Sequence, residues 1–153
     1  MADVFSAKQR SRVMQAVRSR GNRTTEVAFA KGLRASGVKG WRRHLRVRLP
    51  SSSGSAGTTA LEFSTYPDFV FPKQRVAVFL DGCFWHSCPW HRTRPRHRAG
   101  FWRKKLSRNV ARDRETNQLL RKSGWTVVCI WEHRLQNDLP GCMAVLLDAL
   151  NRR

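Results

Sequence analysis

The sequence predicts an α/β domain in which helices pack on a mixed sheet. Two observations lead to this fold class. The hydrophobic pattern reads, in chain order, as helix, helix, hairpin, long helix, strand and helix. The chain has 153 residues, of which 41% are hydrophobic, and this is enough for one packed core. We therefore expect residues 24–153 to form a single domain, preceded by a basic arm over residues 1–23.

The net charge indicates what kind of partner the chain binds. Lys and Arg number 30 against 10 acidic residues, which gives a formal charge of +20. This excess is too large for ordinary solubility and predicts a polyanionic partner, and its Arg-rich character favours nucleic acid. No apolar run reaches the ~18 residues of a membrane span. We expect a cytoplasmic protein with no membrane partner.

The first predicted helix covers residues 6–20 and begins at Ser6. Positions 8 to 23 hold six Lys or Arg and no acidic residue. This run is typical of an arm that lies along a nucleic-acid backbone, and we expect Arg10 and Arg12 to make such contacts. A solvated surface helix is the alternative interpretation.

Three further helices follow from helical periodicity and their stop signals. They are predicted from residue 24 or 25 to just before Gly37, from within 92–108 to Ser123, and over residues 139–150. Glu26 lies in the first turn of the earliest of these, where a carboxylate complements the helix dipole. The long helix is expected to bury a stripe formed by Leu106, Val110, Leu119 and Leu120 and to carry Asp113 and Glu115 on its outer face.

The predicted strands surround a small-residue segment. Residues 41–49 alternate basic and bulky side chains and predict an edge strand, and residues 51–65 predict a flexible insertion because they are rich in Ser and Gly. A hairpin is predicted from residues 68–71, a turn at 72–74 and residues 75–80. Residues 126–131 form an apolar run of the kind found inside a sheet.

The two ends of this hairpin carry acidic residues. Asp68 begins the first strand and Asp81 follows the second, so antiparallel pairing brings the two carboxylates together. Such a pair favours a cation between its members, and Mg²⁺ binds carboxylates together with phosphate oxygens. His86, five residues beyond Asp81, is the candidate general base for hydrolysis of a phosphodiester. The alternative is that both aspartates are turn residues.

A cluster of Cys and His follows the hairpin. Cys83, Cys88 and His91 form a C-x4-C-x2-H pattern that indicates a structural zinc site rather than a disulfide framework. The fourth ligand is His133 if the strand that precedes it lies beside the hairpin. Cys129 is the competing ligand, although it is expected to pack as a small hydrophobic residue.

Large aromatic residues lie among the basic ones. Phe84, Trp85 and Trp102 have polar and cationic neighbours in sequence, which favours stacking on bases over core packing. Residues 92–108 contain eight Lys or Arg and no acid. The predicted contacts to the DNA backbone in and after this run are Arg103, Lys104, Lys105 and Asn109.

Several motifs together resemble the very-short-patch repair (Vsr-type) endonucleases. The motifs are Asp68-Phe69-Val70-Phe71, Gly82-Cys83-Phe84-Trp85-His86, Phe101-Trp102, Asn109-Val110-x-Arg112-Asp113 and Gly124-Trp125-x-Val127-x-x-x-Trp131-Glu132. The resemblance runs from about Ser11 to Leu135. It implies a restriction-endonuclease-like fold, a mixed sheet flanked by helices, and magnesium-dependent nicking of one DNA strand beside a thymine-guanine mismatch, with a 5′-phosphate product.

The resemblance also implies roles for particular residues. Asp68 would bind Mg²⁺ together with the main-chain carbonyl of Leu80, His86 would be the general base, and Glu26 would lie near the active site, with Asp81 at a position where the family can carry His. Phe84, Trp85 and Trp102 would form an intercalating wedge. Cys83, Cys88, His91 and His133 would be the structural zinc ligands. The stretch from Pro50 to Tyr66 is longer than the family's connection.

Two other functions fit parts of the sequence. One is a nicking or restriction endonuclease that acts on undamaged DNA, and the other is a non-catalytic zinc protein that binds nucleic acid. In the preferred interpretation the partner is double-stranded DNA, the enzyme is a monomer, and mismatch-repair factors are further candidate partners.

Overall fold

The computed structural model describes residues 22–49, 63–91 and 95–152, together with Gln9, Arg12 and Thr93. The predicted helix over residues 6–20 and the residue Arg10 therefore lie outside the described part, apart from Gln9 and Arg12. Most of the predicted insertion also lies outside it. Among the described residues, no helix is both long enough and apolar enough to cross a bilayer.

The sheet is mixed, as predicted. Its four strands lie in the order β1 (Arg42–Arg43), β4 (Phe69–Phe71), β5 (Val76–Asp81) and β6 (Thr126–Trp131). Strand β4 runs antiparallel to both β1 and β5, whereas β6 is parallel to β5. Two further strands, β2 (Val47–Leu49) and β3 (Phe63–Thr65), form a separate antiparallel ribbon.

The helices confirm most of the sequence prediction. A π-helical turn, Arg23–Val27, continues into α1 (Ala28–Ala35), which ends before Gly37 at a positive φ of 66°. The long helix α2 (Ala99–Lys122) spans the connection that a parallel β5–β6 pair requires. A short helix α3 (Glu132–Asn137), which the sequence did not predict, precedes the closing helix α4 (Leu139–Asn151).

The alternation of side chains along β4 and β5 produces a core on each face of the sheet. Phe69, Phe71, Val76 and Val78 pack with residues of α1 and α4, including Phe29, Leu33 and Leu146. Val70 and Ala77 point the other way and pack with Leu120 of α2 and with Val47 and Leu49 of the ribbon. The sheet is thus covered by α1 and α4 on one face and by α2 and the ribbon on the other.

Three expectations about strands were wrong. Residues 41–49 do not form one edge strand, because His44 adopts a left-handed conformation (φ 49°) that separates β1 from β2. Residues 63–65 of the predicted flexible insertion pair with β2 as a strand. Strand β6 lies at an edge of the sheet rather than inside it, and its apolar character is explained by the partial covering of its faces by helices.

Candidate active site and metal centre

The hairpin places two carboxylates at one end of the sheet, as the sequence predicted. Asp68 immediately precedes β4 and Asp81 ends β5. Because Phe69 pairs with Val78, Asp68 reaches the far end of β5, where the Leu80 N–H donates a hydrogen bond to Asp68 Oδ2 at 2.7 Å. This bond fixes the carboxylate against the main chain of Leu80. The predicted metal contact through the Leu80 carbonyl stays a prediction.

Both carboxylates are held in surroundings that disfavour negative charge. Burial raises the pKa of Asp68, the Leu80 N–H opposes this, and the charge of Glu26 adds to it. Burial also raises the pKa of Asp81, to about 6, although His86 acts in the opposite direction. A divalent cation between such groups would offset their mutual repulsion and favour their ionised forms.

His86 is held between two acidic side chains. Its Nδ1 lies 2.6 Å from Asp113 Oδ2 and 3.7 Å from Asp81 Oδ1. A carboxylate only accepts hydrogen bonds, so Nδ1 carries the proton and Nε2 of the neutral ring is left to accept one. Burial lowers the pKa of His86, but the hydrogen bond to Asp113 and the charge of Asp81 outweigh it, so the pKa is raised.

The position of Asp113 corrects the sequence prediction, which placed it on the outer face of α2. The side chain instead turns inward to His86 and is partly buried. Asp113 falls on the same helical stripe as Leu106, Val110 and Leu120, at spacings of seven, three and seven residues. This periodicity was the signal that could have identified Asp113 as a residue of the site.

Glu26 is almost completely buried, with 3% of its surface exposed. Its Oε2 contacts Arg43 Nη2 and accepts from His44 Nε2 at 2.9 Å. The carboxylate therefore lies in an ion-paired position near Asp68 in addition to complementing the first helical turn. Neither Arg43 nor His44 was singled out from the sequence for this role, since the partners lie 17 and 18 residues away.

A cleft of about 980 Å³ brings these groups together. All of the predicted catalytic residues line it, along with Asp113 and part of the aromatic cluster. These lining residues are Glu26, Asp68, Asp81, Phe84, Trp85, His86 and Asp113. Residues 63–66 form another part of the wall, so the β2–β3 ribbon borders the same space.

The three predicted wedge residues pack against one another beside the cleft. The ring centroid of Phe84 lies 5.0 Å from that of Trp85 and 5.4 Å from that of Trp102. All three remain partly exposed, and Lys105 Nζ lies over the rings of Trp85 and Trp102 at 5.3 and 5.6 Å. The cluster thus combines aromatic surface with positive charge, the combination expected for contact with bases and phosphates.

The predicted DNA-backbone residues of α2 fall into two groups. Arg103, Lys104 and Lys105 are exposed, as is Arg12 in the N-terminal part. Asn109 is only partly exposed, and its Nδ2 donates to the Trp85 carbonyl at 3.2 Å. The side chain of Asn109 therefore supports the loop that carries Phe84 and Trp85 of the aromatic cluster.

The four predicted metal ligands converge on one point. Ligand atoms of Cys83, Cys88, His91 and His133 all lie within 4.8 Å of one another. A turn in which the Cys88 N–H donates to the Cys83 carbonyl at 2.9 Å brings the two thiols together. His133 joins them because β6 pairs in parallel with β5, with Trp131 opposite Asp81.

Three distances within this group are close to those of a tetrahedral site. Cys83 Sγ lies 3.2 Å and Cys88 Sγ 3.6 Å from His133 Nδ1, and Cys88 Sγ lies 3.8 Å from His91 Nδ1. Zinc bonds of about 2.0–2.3 Å in tetrahedral geometry place ligand atoms roughly 3.3–3.8 Å apart. Two thiols and two imidazoles are also the donor types that zinc prefers.

Cys129 lies outside the metal group and lines the cleft. The expectation that it packs as a small hydrophobic residue was wrong, because the residue is exposed where β6 forms the sheet edge. Asn117 Nδ2 lies 3.5 Å from its sulfur. The surrounding walls of the cleft desolvate the thiol, and together with the charge of Asp81 this raises the pKa of Cys129 to about 11.

Known proteins resemble this chain over most of its length. The profile of a family described as DNA mismatch endonuclease Vsr matches residues 58–92. The DNA mismatch endonuclease Vsr of Escherichia coli (strain K12) is 35% identical over 138 residues, which cover 89% of this chain and 77% of the relative. The chain belongs to the Vsr family of DNA endonucleases.

Other relatives within the Vsr family carry a different name. The Type II nicking enzyme V.NaeI of Lentzea aerocolonigenes is 39% identical over 142 residues, which cover 93% of this chain and 76% of the relative. The Type II nicking enzyme V.XorIIP of Xanthomonas oryzae pv. oryzae is 34% identical over 155 residues, 99% of this chain and 98% of the relative. Membership in the Vsr family implies an endonuclease that hydrolyses DNA with a divalent metal ion.

Proposed function

We propose that this chain nicks one strand of double-stranded DNA next to a T:G mismatch, by Mg²⁺-dependent hydrolysis of a phosphodiester. One observation carries the proposal: Asp68, Asp81 and His86 line a single cleft that is bordered by the aromatic cluster. A purely architectural zinc protein would not need a histidine held by acidic side chains beside a buried carboxylate. The Vsr relatives support the same class of reaction.

The residues in the cleft fit a magnesium ion. Carboxylate oxygens are the preferred protein ligands of Mg²⁺. Asp68 offers such a ligand, and the hydrogen bond from the Leu80 N–H holds its carboxylate in place. The Leu80 carbonyl is the proposed second contact. Asp68 lies close enough to Asp81 for its charge to help raise the pKa of Asp81. When bound, Mg²⁺ would offset the negative charge that develops on the phosphate and lower the pKa of a nearby water.

The protein residues would perform the proton transfer. His86, with its Nδ1–H directed at Asp113, would take a proton from the attacking water through Nε2. The water oxygen bonds to phosphorus and the bond to the 3′ oxygen breaks. The 3′ oxygen takes a proton from solvent, which leaves a 5′-phosphate and a 3′-hydroxyl. Glu26 lies close enough to Asp68 for its charge to act on that carboxylate. It would help to orient Asp68 without contacting the reacting atoms.

The aromatic cluster would deform the duplex next to the scissile phosphate. Phe84, Trp85 and Trp102 form a partly exposed wedge, and insertion of such side chains between base pairs costs unstacking energy. A mismatched step is the least costly place to insert them, because its bases are already weakly paired. Proximity of the wedge to the cleft therefore supports cleavage beside a mismatch.

The second candidate is strand-specific nicking of fully paired DNA at a particular sequence. It is favoured by the relatives named as Type II nicking enzymes and by the β2–β3 ribbon, which borders the cleft and can contribute contacts of its own. In both candidates we expect the enzyme to act as a monomer at the bacterial nucleoid, with mismatch-repair factors as further partners. The catalytic residues would be the same.

A duplex panel distinguishes the two candidates. Duplexes with and without a single T:G mismatch, in varied flanking sequence, are incubated with the zinc-loaded protein in Mg²⁺ or in EDTA. We expect a nick in one strand of mismatched duplexes only, and none in EDTA. Equal nicking of paired duplexes would favour the second candidate, and binding without any nicking would contradict both.

A further inference from the structure

His44 occupies a strained position next to residues that line the cleft. It follows β1 directly and has a φ of 49°, a left-handed conformation that only a few per cent of residues other than glycine adopt. Such a conformation persists only where the surrounding contacts hold it, and these residues concentrate at functional sites. The contacts that hold His44 in this conformation therefore indicate its function.

Two contacts connect His44 with Asp68 and Glu26, two acidic residues that line the cleft. Its N–H donates to the main-chain carbonyl of Asp68 at 3.3 Å, and its Nε2 donates to Glu26 Oε2 at 2.9 Å. The imidazole is itself largely buried, with 18% of the side chain exposed. His44 thus bonds to the main chain of Asp68, the proposed metal ligand, and to the side chain of Glu26.

The neighbouring residues reinforce this link. Arg43 also contacts Glu26 Oε2, and it pairs with Phe69, the residue after Asp68, across the β1–β4 ladder. Removal of the His44 side chain would leave the buried carboxylate of Glu26 with fewer donors, and the main chain of His44, whose N–H bonds to Asp68, would lose its side-chain anchor. Partners of metal ligands commonly have this function.

We propose that His44 is a positioning residue that holds Asp68 and Glu26 in the geometry needed to bind the catalytic divalent cation. The inference rests on the proposed function, because it assumes that Asp68 is a ligand of that cation. His44 itself contacts neither the cation nor the DNA. Its contribution is to metal affinity and, through it, to the rate of nicking.

Three substitutions separate this role from backbone strain. His44→Gly relieves the left-handed conformation and removes the imidazole, and His44→Asn tolerates the conformation but is too short to reach Glu26. His44→Gln places an amide N–H near the position of the imidazole Nε2. Lys73→Ala, in the exposed turn at the opposite end of the hairpin, is the matched control.

The test measures cation binding without DNA as well as nicking. Mn²⁺ binding to the zinc-loaded protein is followed by electron paramagnetic resonance, and the Mg²⁺ half-saturation of nicking is measured in parallel. We expect His44→Gly and His44→Asn to weaken Mn²⁺ binding and raise the Mg²⁺ half-saturation by roughly 10- to 100-fold. We expect His44→Gln to recover much of the loss and Lys73→Ala to match the unmodified protein.

Unchanged Mn²⁺ affinity in both His44→Gly and His44→Asn, with folding confirmed by thermal unfolding, would overturn the inference. An equal loss in His44→Gln would also overturn it, since the hydrogen bond would then not be the cause. Absence of nicking by the unmodified protein would contradict the proposed function instead. The Mn²⁺ measurement would still decide whether His44 positions a cation site.

Discussion

The contact between His86 Nδ1 and Asp113 Oδ2, at 2.6 Å, sets which nitrogen of the imidazole can accept a proton. Without Asp113, the ring could carry its proton on either nitrogen and rotate away from the cleft. The pairing is therefore a geometric requirement for His86 to act as a base.

Asp113→Asn is expected to lower the rate constant of nicking by about 100-fold or more, because an amide can donate to Nδ1 and favour the wrong tautomer. Single-turnover nicking on a mismatched duplex measures the effect, and DNA affinity should stay within a factor of a few. Glu115→Gln, two residues along on the exposed surface of α2, is the control and should nick normally. A normal rate in Asp113→Asn would exclude the assigned role.

The thiol of Cys129 is expected to be unreactive although the residue is exposed. Its raised pKa of about 11 means that only about one molecule in a thousand is thiolate at pH 8, and the thiolate is the reactive form. Alkylation by iodoacetamide should be slow at pH 8 and should accelerate as the pH rises toward 11. Mass spectrometry of the zinc-loaded protein checks this, with glutathione as the reference thiol. Reaction at the rate of glutathione at pH 8 would show that the pKa is not raised.

At the scale of elements, the loop from Cys83 to His91 has only one fully buried residue, Cys88, so burial alone does not hold its shape. The proposed zinc ion would connect it to the start of α3 through His133. Phe84, Trp85 and His86 all lie between the first two ligands, so the same ion would position part of the wedge and the proposed base.

His133→Ala is expected to reduce bound zinc from one ion per chain to a small fraction of that value, measured by atomic absorption after dialysis. Nicking should fall with zinc content, because the loop that carries His86 loses its anchor. Cys129→Ser is the matched control and should retain zinc, since Cys129 lies outside the ligand group. Loss of zinc in Cys129→Ser with retention in His133→Ala would reverse the ligand assignment.

Local signals were sufficient for some elements but not for others. The β4–β5 hairpin was predicted because its turn and both strands lie within 14 residues, and this also placed Asp68 near Asp81. The break at His44 was missed because it depends on contacts to Glu26 and Asp68, which are distant in sequence. The edge position of β6 was missed because composition alone does not show whether helices or another strand cover an apolar strand.

At the scale of the whole molecule, the charge of +20 should dominate binding to DNA. Lys104 is exposed on α2 beside the aromatic cluster and is a candidate phosphate contact. Lys104→Ala is expected to weaken binding equally for matched and mismatched duplexes and to reduce the slope of log K against log salt by about 1. Fluorescence anisotropy at several salt concentrations measures both. A loss confined to mismatched DNA would indicate base recognition instead.

Only part of the site was predictable from the sequence, because some of its residues come from elements that are distant along the chain. Asp68, Asp81, His86 and the first three metal ligands lie within 24 residues, so one hairpin and one turn bring them together. His133 was predicted only on the condition that the last strand lies beside the hairpin, and β6 does pair with β5. Asp113 reaches the cleft, and Arg43 and His44 reach Glu26, from elements whose packing follows from the full arrangement of helices around the sheet. No local pattern specifies that packing.

The most direct measurement is the nicking rate of Asp68→Asn on a T:G-mismatched duplex in Mg²⁺, alongside the affinity of the same variant for that duplex. Asp68 is the partly buried carboxylate on which the proposed cation site depends. The amide keeps its size and can still accept the hydrogen bond from Leu80. We expect nicking to fall by about 1000-fold or more while DNA binding is retained. Nicking at the unmodified rate by Asp68→Asn would contradict the claim that this cleft is the active site.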